Sequence, residues 1–324
     1  MMALLHNSTY NPKYFFKNKH FNTVYRTLFH DFNIKYERKR LETNDGDFLD
    51  LDFSIVDSTS ITVIIHGLEG SSNSSYVKSL TKILNEQLID VVAINLRGCS
   101  GEPNRLMSSY HSGKTDDLKA VITYLENKFK YKQFHIVGFS LGGNITLKYL
   151  GENGLNLSSK IQSAVTVSVP CELNGSSESL AKFWNKIYMQ RFLISLKKKS
   201  LYKLKQFPNS FLKKELIEQA KNFYDFDNLY TAPAHGFKDA FDYWKKSSSK
   251  QFIPNIKIPS LLITSIDDPF LSKTCIPIQE ANNNKYFNLE LTKYGGHVGF
   301  NSSKFNSNDL WLEHRVVNFI KNHN

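Results

Sequence analysis

Short, nearly uninterrupted apolar runs at 61–65, 91–96, 134–139, 164–169 and 260–266 set the main limit on how this chain folds. Runs of that length suit strands covered on both faces of a parallel sheet. Helical stripes lie between them. Val77, Leu80, Ile83, Leu84 and Leu88 form one; Leu118, Val121, Ile122, Leu125 and Phe129 form another, opened by Thr115-Asp116-Asp117 as a cap. Residues 48–56 alternate at period two after the turn signal Asn44-Asp45-Gly46-Asp47, which predicts a half-exposed hairpin strand. Strands that alternate with helices imply a doubly wound α/β fold, mostly parallel, with helices on both faces. The 324 residues fit one such domain, 1–324, with an insertion.

The alternation breaks at about 171–246. That stretch is aromatic and helix-like, with Phe183, Trp184, Ile187, Tyr188, Phe192, Leu193 and Leu196 at helical spacing. Within it, residues 182–214 hold ten Lys or Arg and no Asp or Glu. It reads as a helical insertion above the sheet.

Composition removes several classes. A hydrophobic fraction of 41% is too high for a disordered chain. The net charge of +11 comes without a nucleic-acid recognition motif, so no nucleic-acid partner is expected. Cys99, Cys171 and Cys275 stand far apart and odd in number, which argues against a disulfide framework. No histidine pair has metal-ligand spacing, so no metal site is expected. Neither a signal peptide nor a spanning segment is evident, so the chain reads as soluble and cytoplasmic.

The sharpest motif is Gly138-Phe139-Ser140-Leu141-Gly142, which follows an apolar run and precedes a helix-like segment. It is a Gly-x-Ser-x-Gly nucleophile elbow in the strand-to-helix context the motif requires. Ser140 would sit at the apex of a tight turn, with Gly138 and Gly142 clearing room for the adjoining strand and helix.

A serine hydroxyl needs a general base oriented by a third group, and on this fold the order is Ser, acid, His. The run at 261–266 leads into Asp267-Asp268-Pro269, and 288–291 leads into Tyr294-Gly295-Gly296-His297. Among ten histidines, His297 alone lies in a Gly-rich loop before the final helix. Between the two carboxylates, position past the strand end favours Asp268. His111 is read as a loop-holding residue, His135 as structural, and His6, His20, His30, His314 and His323 as surface or packing residues, with His235 unassigned. The oxyanion donors expected are the backbone N–H groups of Leu141 and of Leu68, the latter in His66-Gly67-Leu68-Glu69-Gly70, where Gly67 lets the chain turn and His66 supports the loop.

Taken in order, 66–71, 95–105 (Asn-Leu-Arg-Gly-Cys-Ser-Gly-Glu-Pro-Asn-Arg), 110–113, 138–144, 267–270 and 295–300 resemble the YheT-like branch of the α/β-hydrolase superfamily. That branch is similar to vertebrate abhydrolase-domain lipid hydrolases and yeast medium-chain ester synthases. The likeness runs from about Asn11 to Ile320. It implies an eight-stranded α/β-hydrolase fold with a helical cap and a cofactor-free carboxylic-ester hydrolase. It carries the nucleophile to Ser140, the acid to Asp268 and the base to His297. The 97–105 segment, rich in Gly, Pro and Asn, suits a tight loop that walls the pocket.

The expected partner is a small-molecule ester or lipid, of short to medium acyl length. Phe183, Trp184, Ile187, Phe192 and Leu193 are candidates to line an acyl tunnel, and Lys197, Lys198, Lys199, Lys203 and Lys205 to attract an anionic headgroup or membrane surface. The plainer reading makes the aromatics the core of the insertion and the lysines a solvated face. Acyl transfer to an alcohol and non-catalytic binding on the same fold are the alternative functions.

Overall fold

The computed structural model describes residues 4–5, 8–29, 32–301 and 310–323; His6 and His30 lie outside them. The strands are β1 (Leu4–Leu5), β2 (Glu37–Glu42), β3 (Phe48–Ser54), β4 (Ser60–Ile65), β5 (Asp90–Asn95), β6 (Gln133–Phe139), β7 (Ile161–Val167), β8 (Ser260–Ser265) and β9 (Phe287–Thr292). They form one sheet of order β1-β9-β8-β7-β6-β4-β5-β3-β2, antiparallel only where β3 meets β2 and β5. Eight strands therefore match the expected fold, and the two-residue β1 extends its edge.

The helices are α1 (Lys19–Phe29), α2 (Ser75–Glu86), α3 (Thr115–Lys128), α4 (Leu141–Asn153), α5 (Leu173–Ala181), α6 (Lys186–Gln206), α7 (Lys214–Gln219), α8 (Phe223–Phe226), α9 (Ala232–Ala234), α10 (Ala240–Ser247), α11 (Ile278–Asn283) and α12 (Trp311–Lys321). The continuous apolar runs serve two cores at once. Ile61, Val63 and Ile65 of β4 pack with Val121 of α3 and Ile145 of α4; Ile64 packs with Leu80 of α2 and Val316 of α12. Alternate side chains of one strand thus enter opposite layers, which is why no polar face was needed.

Helix α3 begins at Thr115 and has no side-chain cap; Asp116 and Asp117 lie inside its first turn. Asp117 is committed elsewhere, as the partner of Arg97. Helix α2 stops at Glu86, and Leu88 lies beyond it, exposed, with φ of +58°.

The strand expected to be half exposed is buried on both faces. Leu49, Leu51 and Phe53 point into the core, as the alternation predicts. Asp50 and Asp52, on the opposite face, are covered and neutralised: Arg40 and Arg38 each place Nε within 2.8 and 2.7 Å of them, and Asn95 Nδ2 donates to Asp52 at 2.8 Å. Period two reports which residues share a face, and here the polar face is roofed by paired arginines.

A buried cation, Arg97, holds the start of the loop after β5. Arg97 places Nη2 2.7 Å and Nε 2.9 Å from the two carboxylate oxygens of Asp117, and Nη1 2.7 Å from Asp45 and 3.3 Å from Asp47. Asp47 in turn accepts from Asn104 Nδ2 at 2.6 Å and from the Arg105 N–H at 2.8 Å, so the hairpin turn fixes the far end of the loop. Removing the guanidinium would leave Asp117 and Asp47 buried without the cation that hydrogen-bonds to them. Arg97→Met is expected to lower the unfolding free energy by about 3–5 kcal/mol. Urea titration checks this, and a change below about 0.5 kcal/mol would contradict it.

Candidate active site

Ser140 stands between β6 and α4 at φ +51°, ψ −117°, in the left-handed region that an elbow demands. Its N–H donates to the Val167 carbonyl at 2.8 Å, anchoring the turn to β7. A Cβ on Gly138 would lie 2.5 Å from the Gly142 carbonyl oxygen and from Thr146 Oγ1; one on Gly142 would lie 2.6 Å from the His66 carbonyl oxygen. Both glycines are needed for close approach, as expected from sequence.

His297 reaches back over the elbow. Its Nε2 lies 2.9 Å from Ser140 Oγ, and its Nδ1 lies 2.9 and 3.1 Å from the two oxygens of Asp268. Asp268 is almost fully buried, and its Oδ1 also accepts from the Phe270 N–H at 2.8 Å. The two neighbouring carboxylates divide the work. Asp268 takes the imidazole, whereas Asp267 Oδ1 accepts the Gly296 N–H at 3.0 Å and braces the histidine loop. Burial raises the Asp267 carboxyl above the ordinary carboxylate range.

Three supports of His297 were given no role on sequence alone. The Phe270 ring stacks on the imidazole at 4.1 Å between centroids and 24° between planes. Thr23 Oγ1 of α1 accepts the His297 N–H at 2.9 Å. Asn22 Oδ1 accepts the Asn301 N–H at 3.1 Å, and the Asn22 backbone lies so close to Gly299 that a Cβ there would collide with it. Helix α1 is therefore a buttress of the histidine loop, made through one asparagine and one threonine that form no motif.

The 66–70 loop faces the same point. His66 is buried; the Leu96 N–H donates to its Nε2 at 3.1 Å, which makes Nδ1 the donor to the Gly67 carbonyl at 2.7 Å. Burial lowers its pKa to about 4, so the ring is neutral. The C=O and N–H of a trans peptide point in opposite directions, so fixing the Gly67 oxygen also aims the Leu68 N–H. Gly67 itself adopts no left-handed φ. A Cβ there would press on Ser140 Cβ at 3.2 Å, and the turn expected at Gly67 is supplied instead by Glu69, at φ +55°.

Glu69 was not singled out in the sequence, where a charged loop residue reads as surface. Its carboxylate is buried and accepts from Tyr110 OH at 2.6 Å, from Lys199 Nζ at 2.8 Å and from the Ser195 hydroxyl. Ser195 and Lys199 belong to α6, so Glu69 ties the helical insertion to the 66–70 loop.

Ser140, Leu141, Leu68 and His297 open into one cavity of about 440 Å³. Leu180, Phe192, Leu196, Phe223 and Phe226 of the insertion give it an apolar wall, and the loop after β5 gives it a polar one. Among the expected tunnel residues, Phe192 lines the cavity and Leu193 is buried among the inserted helices. Phe183, Trp184 and Ile187 do not line it: they are 72%, 78% and 75% exposed. Helical spacing had grouped residues that occupy different faces. The lysines also divide. Lys199 is paired with Glu69, Lys197 Nζ donates to the Glu218 carbonyl, and Lys203 is buried with Nζ donating to the Asn104 carbonyl, its pKa lowered by burial to about 8. Lys198 and Lys205 are exposed.

His111 accepts the Gly113 N–H at 3.1 Å and packs against His235 at 4.4 Å, consistent with a loop-holding role. His135 is buried in β6, 2.8 Å from Ser163 Oγ. Among the described residues, no group of three or more His, Cys, Asp or Glu is placed to hold a metal ion.

A family model described as alpha/beta hydrolase fold matches residues 63–299. The chain belongs to the α/β hydrolase fold family, on its esterase and lipase branch. It is 34% identical over 312 residues to the protein named "Putative esterase YheT" of Escherichia coli, covering 94% of this chain and 91% of that one. It is 32% identical over 279 residues to a monoacylglycerol lipase of Saccharomyces cerevisiae, covering 82% and 60%. In fold it is similar to the Pyrococcus furiosus esterase Pf2001, with a TM-score of 0.61, 17% identity, and 90% and 91% of the two chains covered.

The cavity wall contains one carboxyl with a testable signature. Asp227 is buried, and burial raises its pKa to about 6 although Thr231 Oγ1 and Trp244 Nε1 donate to it at 2.6 and 2.7 Å. A carboxyl whose folded pKa lies above its ordinary value stabilises the fold at low pH and loses that contribution as pH rises through about 6. Relative to Asp227→Asn, the wild-type protein should therefore lose roughly 2–3 kcal/mol of stability between about pH 4 and about pH 7. Urea titrations across that range check this; parallel curves would contradict it.

Proposed function

We propose that this protein is a serine hydrolase that cleaves carboxylic esters through an acyl-enzyme, and that its substrates are short- to medium-chain acyl or lipid esters. The observation that carries the reading is the unbroken hydrogen-bond chain from Asp268 through His297 to Ser140 at the floor of a largely apolar cavity. Ser140 Oγ attacks the ester carbonyl carbon while His297 Nε2 takes the hydroxyl proton. Asp268 holds Nδ1 and balances the imidazolium charge. The negative charge that develops on the carbonyl oxygen is received by the N–H groups of Leu68 and Leu141, each worth about 10²–10³ in rate. His297 then protonates the leaving alcohol, the C–O bond breaks, and an acyl group remains on Ser140. Water attacks that acyl group with His297 again as base, releasing the acid and restoring the hydroxyl.

The substrate class rests on the cavity and on kinship. Its volume of about 440 Å³ falls within the usual span for small-molecule sites, and its aromatic and aliphatic wall suits an acyl chain. One of the relatives named above is a monoacylglycerol lipase, by its name a lipid-ester hydrolase. Residues of about 171–246 serve as a cap on a single domain of 1–324, with Glu69 as its tie to the oxyanion loop. Cys99, Cys171 and Cys275 are all unpaired thiols, which supports a reducing compartment such as the cytoplasm. No described helix is long and apolar enough to cross a membrane.

Ser140→Ala is expected to lower turnover of p-nitrophenyl esters by roughly 10⁴–10⁶ while leaving the circular dichroism spectrum unchanged. A folded Ser140→Ala protein that keeps most of its esterase activity would refute the reading.

A further inference from the structure

Helix α6 presents two unlike faces. Phe192, Leu196, Lys199 and Lys203 line the cavity. Ile187, Arg191, Ile194, Lys198 and Lys205 are exposed and recur every three, four or seven residues, which places them in a second stripe that meets the cavity rim at Lys198. Ile187 and Ile194 are 75% and 68% exposed, and the turn just before the helix adds Phe183 and Trp184, whose rings meet edge to face at 5.2 Å. Leu28 and Phe29, at the end of α1, are also exposed and share a hollow with Arg191. Large apolar side chains gathered this way mark an interaction surface.

Charge selects the partner. The segment 182–214 holds ten basic residues and no acidic one. Lys199 and Lys203 are used internally, whereas Lys182, Lys186, Arg191, Lys198 and Lys205 are exposed and, among the described residues, in no salt bridge. Tryptophan, phenylalanine and isoleucine interleaved with lysine and arginine that form no salt bridge match the aromatic and basic residues that gather where a protein meets a lipid interface. An anionic bilayer presents negative charge over the whole face and needs no match to individual positions.

We propose that this face docks the protein on the surface of a bilayer that carries anionic lipid. Phe183, Trp184, Ile187 and Ile194 enter the headgroup boundary, and the basic residues hold the lipid phosphates. Lys198 and Tyr202 are exposed and also line the cavity, so the docked face adjoins the cavity mouth. The claim concerns the surface alone and holds whether or not Ser140 cleaves esters.

Co-sedimentation of the full chain with vesicles of equimolar phosphatidylglycerol and phosphatidylcholine, against phosphatidylcholine alone, tests it. Binding to the anionic vesicles is expected to be at least about tenfold stronger and to weaken with salt. Trp184 emission should shift to the blue on binding, and Trp184→Phe should abolish most of the shift while keeping the binding. The pairs Ile187→Ser with Ile194→Ser, and Lys186→Glu with Arg191→Glu, should each reduce binding by about tenfold without changing the circular dichroism spectrum. Equal binding to neutral vesicles, no binding to anionic vesicles at low salt, or full binding by both paired variants would overturn the proposal. So would a lipid-free dimer in sedimentation velocity that both paired variants dissociate, because the face would then cover a second copy of the chain.

Discussion

The 2.9 Å contact between His297 Nε2 and Ser140 Oγ sets the tolerance for the rest of the molecule. The two residues are 157 positions apart, and the carboxylate that orients the ring belongs to a third loop. Each of these loops follows a strand of the parallel part of the sheet, β6, β8 or β9, so the strand direction alone brings all three to one edge. Hydrogen-bonded registers from β6 through β9 then fix how far apart the loops begin. A sheet buried on both faces is stiff because its side chains are packed to solid density in two cores, and that stiffness is what a hydrogen bond between distant loops requires.

Around this contact the chain spends its unusual features on close approach. Ser140, Ser168, Glu69 and Val298 all adopt positive φ near the site. Ser168 Oγ accepts the Val298 N–H at 3.0 Å, so the loop after β7 also steadies the histidine loop. Glu69 gives the insertion a fixed relation to the 66–70 loop through a buried carboxylate with three donors. The loop that walls the cavity is held the same way, with Arg97 as a buried cation among carboxylates. Both devices tie covering elements to the sheet by charge, and so specify one arrangement where apolar packing alone would tolerate several.

Much of this was legible in the residues. Continuous apolar runs announced strands covered on both sides, because a run without a polar face has nowhere to meet water. The elbow was legible because Gly138 and Gly142 are forced by contact distance, and Asp268 and His297 because they follow strands in the order the fold imposes. The hidden parts share a cause. Asp50, Asp52 and Glu69 read as solvent-facing because single residues do not reveal the arginine, lysine or tyrosine that will cover them. The role of α1 depends on the side chain and backbone of Asn22 and on the hydroxyl of Thr23, none of which forms a pattern. Periodicity placed Phe183, Trp184, Ile187 and Phe192 on a helix but did not separate the face against the cavity from the face toward water. That distinction depends on where the next helices pack.

The most direct test of the central claim is the site and rate of fluorophosphonate labelling, read by peptide mass spectrometry. This chemistry reports whether an imidazole activates one particular hydroxyl before any substrate preference enters. The account predicts a single adduct, on Ser140, with a rate that falls by about a thousandfold or more in a folded His297→Gln variant. Labelling on another residue, or an unchanged rate in His297→Gln, would contradict it.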